Sequence, residues 1–218
     1  MMLYLLACSE PGLLSSVSEV LADEALAESE EGLQMVTALS GLAAETCLAG
    51  TVNGYTFTGR SASALGITSA VVTIEDTTEI WTFSEAGLDA HAGTLEVRTD
   101  GQRDDLAISW TADGLTLAAE LEVRACGSDA AVIGGSATWT SSLGVVAMTL
   151  IGEAPASGVV YSPPLANTPV GGQIRAEDED LGWTILLVDA STLAADPPAW
   201  PGTASGDDWT QEIDVRWP

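Results

Sequence analysis

From Leu48 onward the chain alternates apolar and polar residues with a period of two, and turn residues interrupt the alternation at short intervals. That period places successive side chains on opposite faces of a pleated strand, so the segment reads as an antiparallel sheet buried on one face. The clearest case is Leu106-Ala107-Ile108-Ser109-Trp110-Thr111, then Asp113-Gly114, then Leu115 to Ala125. Asp-Gly supplies the two positive-φ positions of a type I′ hairpin turn. A two-residue loop there sets Trp110 opposite Leu117, Ile108 opposite Ala119 and Leu106 opposite Leu121, which makes one face apolar. Thr116, Glu120, Glu122 and Arg124 then face water. The preceding turn, Asp100-Gly101-Gln102-Arg103, works as a four-residue loop that sets Val97 against Leu106, Leu95 against Ile108 and Arg98 against Asp105. A slip of one residue would exchange the two faces of every strand.

Further strands are expected at 48–58, 69–75, 78–84, 130–140, 143–151, 157–161, 172–176, 182–188 and 209–217. Strand 143–151 is apolar on both faces, with Leu143, Val145 and Ile151 on one and Val146, Met148 and Leu150 on the other. A strand of that kind is expected to be covered on both sides. Pro197-Pro198, Pro201 and Gly202 mark a loop over 189–208, with Trp200 inside it.

Before the sheet, residues 9–46 read as helix. Leu14, Val17 and Leu21, then Leu33, Val36, Leu39 and Leu42, recur at helical spacing. Asp23, Glu24, Glu28, Glu30 and Glu31 populate the opposite, solvated side, and Gly32 is expected to break or kink the helix. The domain reading is a short leader at 1–8, this helical segment at 9–46 packed on the sheet, and one β domain at 47–218. The fold class is mainly β: an antiparallel meander curled into a barrel, half-barrel or sandwich, with an N-terminal amphipathic helix.

The charge narrows the partners. The chain carries 32 acids, six arginines and no lysine, for a net charge of −26 across 218 residues. Nucleic acid and other polyanions are repelled by such a surface, so no nucleic-acid partner is expected. Hydrophobic residues make up 46% of the chain, which excludes wholesale disorder.

The N-terminus supplies an address. Leu5-Leu6-Ala7-Cys8, followed by Ser9-Glu10-Pro11-Gly12, resembles the lipobox of bacterial lipoproteins: a leucine three residues before the cysteine and a small residue just before it. The resemblance covers about eight residues and implies acylation of Cys8 after cleavage by signal peptidase II. It departs from a full secretory signal in lacking a basic start and a long apolar stretch, so the signal is expected to be truncated at Met1. The resemblance implies a lipid-anchored protein of the bacterial cell envelope, periplasmic or at the outer-membrane surface.

With Cys8 assigned to lipid, Cys47 and Cys126 remain, and an even pair suits a disulfide in an oxidising compartment. Neither has a Cys or His neighbour at ligand spacing, so no metal site is expected there.

Chemistry-bearing motifs are sparse. His91 is the single histidine, which excludes multi-histidine metal sites, and no Gly-x-Ser-x-Gly elbow exists to supply a nucleophile. Acidic turns at 100–105, 177–180 and 206–208 do not match the twelve-residue calcium loop. Trp81, Trp110, Trp139 and Trp183 fall on expected strands and read as core; Trp200, Trp209 and Trp217 read as C-terminal packing. No catalytic residue and no cofactor is assigned. The functional expectation is a non-enzymatic, lipid-anchored module, structural or binding an envelope protein or ligand. The alternatives are a hydrophobic-ligand carrier of half-barrel type and a carbohydrate hydrolase using two carboxylates. A ligand-sized apolar cavity favours the carrier, a filled core the module, and an open pair of carboxylates the hydrolase.

Overall fold

A computed structural model describes residues 11–49, 53–57, 60–75, 78–85, 94–99, 103–112, 115–124, 131–151, 159–161, 169–187 and 199–216. The chain is mainly antiparallel β with a long N-terminal helix. The helix α1 spans Pro11–Ala49 and a short α2 spans Arg60–Ala64. The strands are β1 (Gly54–Thr56), β2 (Ile67–Glu75), β3 (Thr78–Glu85), β4 (Thr94–Thr99), β5 (Arg103–Ala112), β6 (Leu115–Arg124) and β7 (Ala131–Thr140). They continue with β8 (Val145–Ile151), β9 (Val159–Tyr161), β10 (Pro169–Gly171), β11 (Gln173–Asp178), β12 (Trp183–Leu187), β13 (Ala199–Gly206) and β14 (Trp209–Arg216).

Neighbours in sequence pair in space from β1 through β8, then β8 pairs β11 and the meander runs on to β14, with β9 and β10 branching from β7. β7 carries β9 beside Ala131 to Ile133 and β8 beside Gly135 to Thr140. The division falls at Gly135, whose φ of +119° and approach to the Glu120 carbonyl leave no room for a Cβ. β1 and β14 end the path and do not pair with each other among the described residues, so neither the expected closure into a barrel nor a strong curl of the sheet is seen there.

The β5–β6 register is the expected one. Trp110 lies opposite Leu117, Ile108 opposite Ala119 and Leu106 opposite Leu121. The β4–β5 register also agrees, with Val97 facing Leu106, Leu95 facing Ile108 and Arg98 facing Asp105. The turns themselves, Asp113-Gly114 and 100–102, lie outside the described residues. Leu117, Ala119, Leu121 and Val123 are buried, while Glu120 is exposed. Glu122 corrects the expectation of a wet residue: it is half-buried, with one carboxylate oxygen shielded from solvent. Its ladder neighbour Gly134 is itself buried, so the outer face is covered at this end of the sheet.

Four further expectations are corrected. First, α1 does not break at Gly32. Met148 and Trp139 press onto that position, so glycine serves close packing there. The same helix runs on through Ala49 and takes the first residues of the strand expected at 48–58; among the described residues of that segment, Gly54–Thr56 is strand. Second, Val17 is 53% exposed and Leu21 half-buried. The first half of α1 instead buries Ala22, Ala25, Glu28 and Ser29, small residues except for the acid, which let the helix approach the sheet closely. Third, β8 is covered on one side alone: Val146, Met148 and Leu150 are buried, whereas Leu143 and Val145 are 64% and 55% exposed. Fourth, part of the loop expected over 189–208 is β13. Among the described residues pairing of β13 with β12 runs to Gly202, so Pro201 is paired there with β14 alone and its missing N–H is tolerated.

Between Gly32 and Thr46 only Gln34 is not fully buried, so this part of α1 is covered on every side. Leu33, Val36, Leu39 and Leu42 are completely buried, as their spacing predicts. Helices buried all round are apolar all round; here Ser29, Thr37 and Thr46 reconcile their hydroxyls by donating to carbonyls one turn back, at 2.5–2.8 Å. The helix also packs against β14, the end strand of the sheet. Ser18 Oγ donates to Gln211 Oε1 (3.3 Å) and Gln34 Nε2 to the Arg216 carbonyl (3.1 Å). Covering an end strand with a helix limits its use as a template for further strand pairing.

Candidate functional site

The most unusual chemistry lies where α1 crosses the ends of two hairpins. One hairpin joins β7 to β8 through residues 141–144, and the other joins β11 to β12 through residues 179–182. Between them sits Glu28, a buried acid that sequence spacing places on the wet side of the helix. Its Oε2 accepts a hydrogen bond from Trp183 Nε1 at 3.2 Å. Its Oε1 lies over the Cα of Gly144, so close that a Cβ there would collide with it, and Asp178 Oδ2 would stand 3.2 Å from the same Cβ. Asp178 is also buried. Its Oδ1 accepts the backbone N–H groups of Asp180 and Leu181, both at 2.8 Å, and its carbonyl accepts Gly182 N–H at 2.9 Å. Gly182 turns at a φ of +72°. The acidic turn at 177–180 is therefore folded around its own aspartate.

Each carboxyl thus has one oxygen committed to N–H donors and one directed at the other carboxyl. Burial pushes the Glu28 carboxyl above the usual carboxylate range, and the charge of Asp178 adds to that rise, while the Trp183 hydrogen bond opposes it. As an ionised group, Glu28 Oε1 has no hydrogen-bond donor; as an acid it donates to Asp178 and both groups are satisfied.

A second acid–aromatic cluster sits toward the other end of α1. Tyr55 OH donates to Glu45 Oε1 at 3.4 Å, and Trp81 Nε1 donates to Glu79 Oε2 at 3.2 Å. Tyr55 and Phe57 meet edge-on with centroids 4.9 Å apart, and both approach Trp81. Burial and the neighbouring Glu45 raise the Tyr55 phenol above its ordinary range. Trp81, Trp139, Trp183 and Trp200 are all core residues, as expected of the first three; Trp209 is half-buried against the core.

The residues singled out by sequence fall elsewhere. Cys47 lies near the C-terminal end of α1 and packs against the core. Cys8, Cys126, His91 and Trp217 lie outside the described residues, as does the Trp110 side chain. Among the described residues no group of three or more His, Cys, Asp or Glu is arranged to hold a metal ion. No helix among them is long and apolar enough to cross a membrane. The Glu28–Asp178 pair was not legible in sequence, because Glu28 is one of five acids within nine residues. The single hint is that it lies one helical turn from Gly32.

No protein-family model, curated protein or solved structure matches this chain.

Proposed function

We propose that the protein is a non-enzymatic module of the bacterial cell envelope, anchored by lipid at Cys8, that acts structurally or by binding another envelope protein. The observation that carries this reading over a carrier is the filled interior. The space that an apolar ligand would take in a sheet-plus-helix carrier is occupied by residues 32–46 of α1, buried on every side. The two buried carboxyls give little support to a glycoside hydrolase, since they face each other beneath Gly144 rather than an open cleft. The address rests on Leu5-Leu6-Ala7-Cys8. Anchoring fits the helix that follows, because Pro11 opens α1 two residues after Ser9 and a missing N–H is harmless at a first helical position.

The test is expression in a bacterial host together with the upstream coding sequence, with an alkyne fatty acid in the medium. Mass spectrometry of the mature protein is expected to find acylated Cys8 as the first residue, and Cys8→Ser to abolish labelling. An unmodified, uncleaved Met1 would overturn the address.

A further inference from the structure

We propose that Glu28 and Asp178 share a single proton, and that this proton latches the first half of α1 onto the β7–β8 and β11–β12 hairpin ends. The geometry leaves the pair few alternatives. Glu28 Oε2 is taken by Trp183 Nε1 and Asp178 Oδ1 by two backbone N–H groups; Glu28 Oε1 has no donor, it and Asp178 Oδ2 both lie against Gly144, and the two carboxyls are within hydrogen-bonding reach. Both residues are buried, and two ionised carboxylates in such a place repel each other through a medium that screens poorly. A proton on Glu28 turns that repulsion into an O–H···O⁻ hydrogen bond, among the stronger kinds.

Among the described residues the surroundings offer no competing positive charge. The β7–β8 turn contributes Ser141, Ser142, Leu143 and Gly144, none of which titrates in the relevant range. The β11–β12 turn contributes exposed Glu179 and Asp180. The β13–β14 turn, at the same end of the sheet, adds exposed Asp207 and Asp208. On α1 the nearest charged neighbours one turn away are Glu24 and Glu31, both exposed acids. The closest arginine along β11, Arg175, is ion-paired with Glu177 at 2.6 Å. Among the described residues every unpaired charge named at this corner is negative, and each favours keeping the proton.

The linkage has a definite sign. Glu28 titrates higher in the folded chain than in the unfolded one, so the latch is complete at low pH and is lost as pH rises through the folded value. One shared proton sets the limiting slope at about ten-fold in the opening equilibrium per pH unit. This device stands independently of the envelope assignment.

The experiment is hydrogen exchange on the full chain, comparing peptides from residues 17–31 with peptides from 33–46 as an internal reference. In the wild type the protection of 17–31 relative to 33–46 is expected to fall with rising pH, at a slope no steeper than one proton. Glu28→Gln and Asp178→Asn both keep the hydrogen bonds to Trp183 and to the β11–β12 turn while removing one charge. In Glu28→Gln the relative protection is expected to be flat with pH, whereas Asp178→Asn, which leaves Glu28 buried and ionisable, is expected to keep a fall shifted to lower pH. A pH dependence that survives undiminished in Glu28→Gln would overturn the latch, as would one unmoved by Asp178→Asn. Should a variant fail to fold, carboxyl carbon NMR of the wild type decides the matter. Glu28 Cδ is expected to titrate above the ordinary carboxylate range; titration of Glu28 at an ordinary value would overturn the shared proton.

Discussion

Gly32 of α1 rests directly on Trp139 of β7: a Cβ at position 32 would stand 2.6 Å from the indole Cγ and 2.6 Å from the Met148 methyl. In an exposed helix interior, glycine to alanine stabilises by about 1 kcal/mol through helix propensity. Here the sign is expected to reverse. Trp139 is 1% exposed and held by strands on both sides, so it has nowhere to retreat. Gly32→Ala is expected to destabilise by about 1–3 kcal/mol as an overpacked core substitution. Urea melts of the two proteins check it, and a more stable Gly32→Ala would show that the helix does not sit this close.

Val145 and Val146 give a paired test of which face of β8 is covered. They are adjacent and chemically identical, yet Val145 is 55% exposed and Val146 fully buried. Threonine matches valine in shape and β propensity but carries a hydroxyl that needs a partner when buried. Val146→Thr is expected to cost about 1–3 kcal/mol, and Val145→Thr to stay within about 0.5 kcal/mol of wild type. Similar losses at both positions would restore the two-sided cover that the apolar sequence of 143–151 suggests.

The β5–β6 register yields a third prediction. Leu117, opposite Trp110, is buried, and Glu120, three positions on, is exposed. Leu117→Ala is expected to cost about 2–5 kcal/mol and Glu120→Gln no more than about 0.5 kcal/mol. A slipped register would reverse the ranking, and thermal melts of both variants decide it.

These predictions also mark what the sequence made legible. The β4–β5–β6 registers could be read because local turn chemistry and period-two alternation both specify them. Leu33, Val36, Leu39 and Leu42 were readable for a similar reason: large apolar residues at helical spacing name their own buried face. The first half of α1 was not, because its buried stripe is Ala22, Ala25 and Ser29 while Val17 and Val20 lie outside. Small residues give a weak apolar signal, and their role, close approach to a sheet, depends on a partner remote in sequence. Gly32 misled in the same way: breaking a helix and making room for Trp139 need the same residue. β13 was hidden by Pro201, whose tolerance depends on where pairing with β12 stops. The Glu28–Asp178 pair joins residues 150 positions apart, beyond the reach of any local pattern.

The last prediction concerns the cysteines. Cys47 lies near the C-terminal end of α1, packed on the core. We predict that Cys47 and Cys126 are bonded in exported protein. Closing a loop of about 80 residues stabilises by about 4.5 kcal/mol in the chain-entropy model, with native strain lowering the return. Removing the bond by Cys47→Ser/Cys126→Ser is expected to cost about 2–5 kcal/mol, and a thiol reductant is expected to lower the melting temperature of the wild type but not of the double variant. Non-reducing peptide mapping is the direct measurement: a single peptide pair containing residues 47 and 126 is expected, and recovery of both as thiols from exported protein would refute the bond.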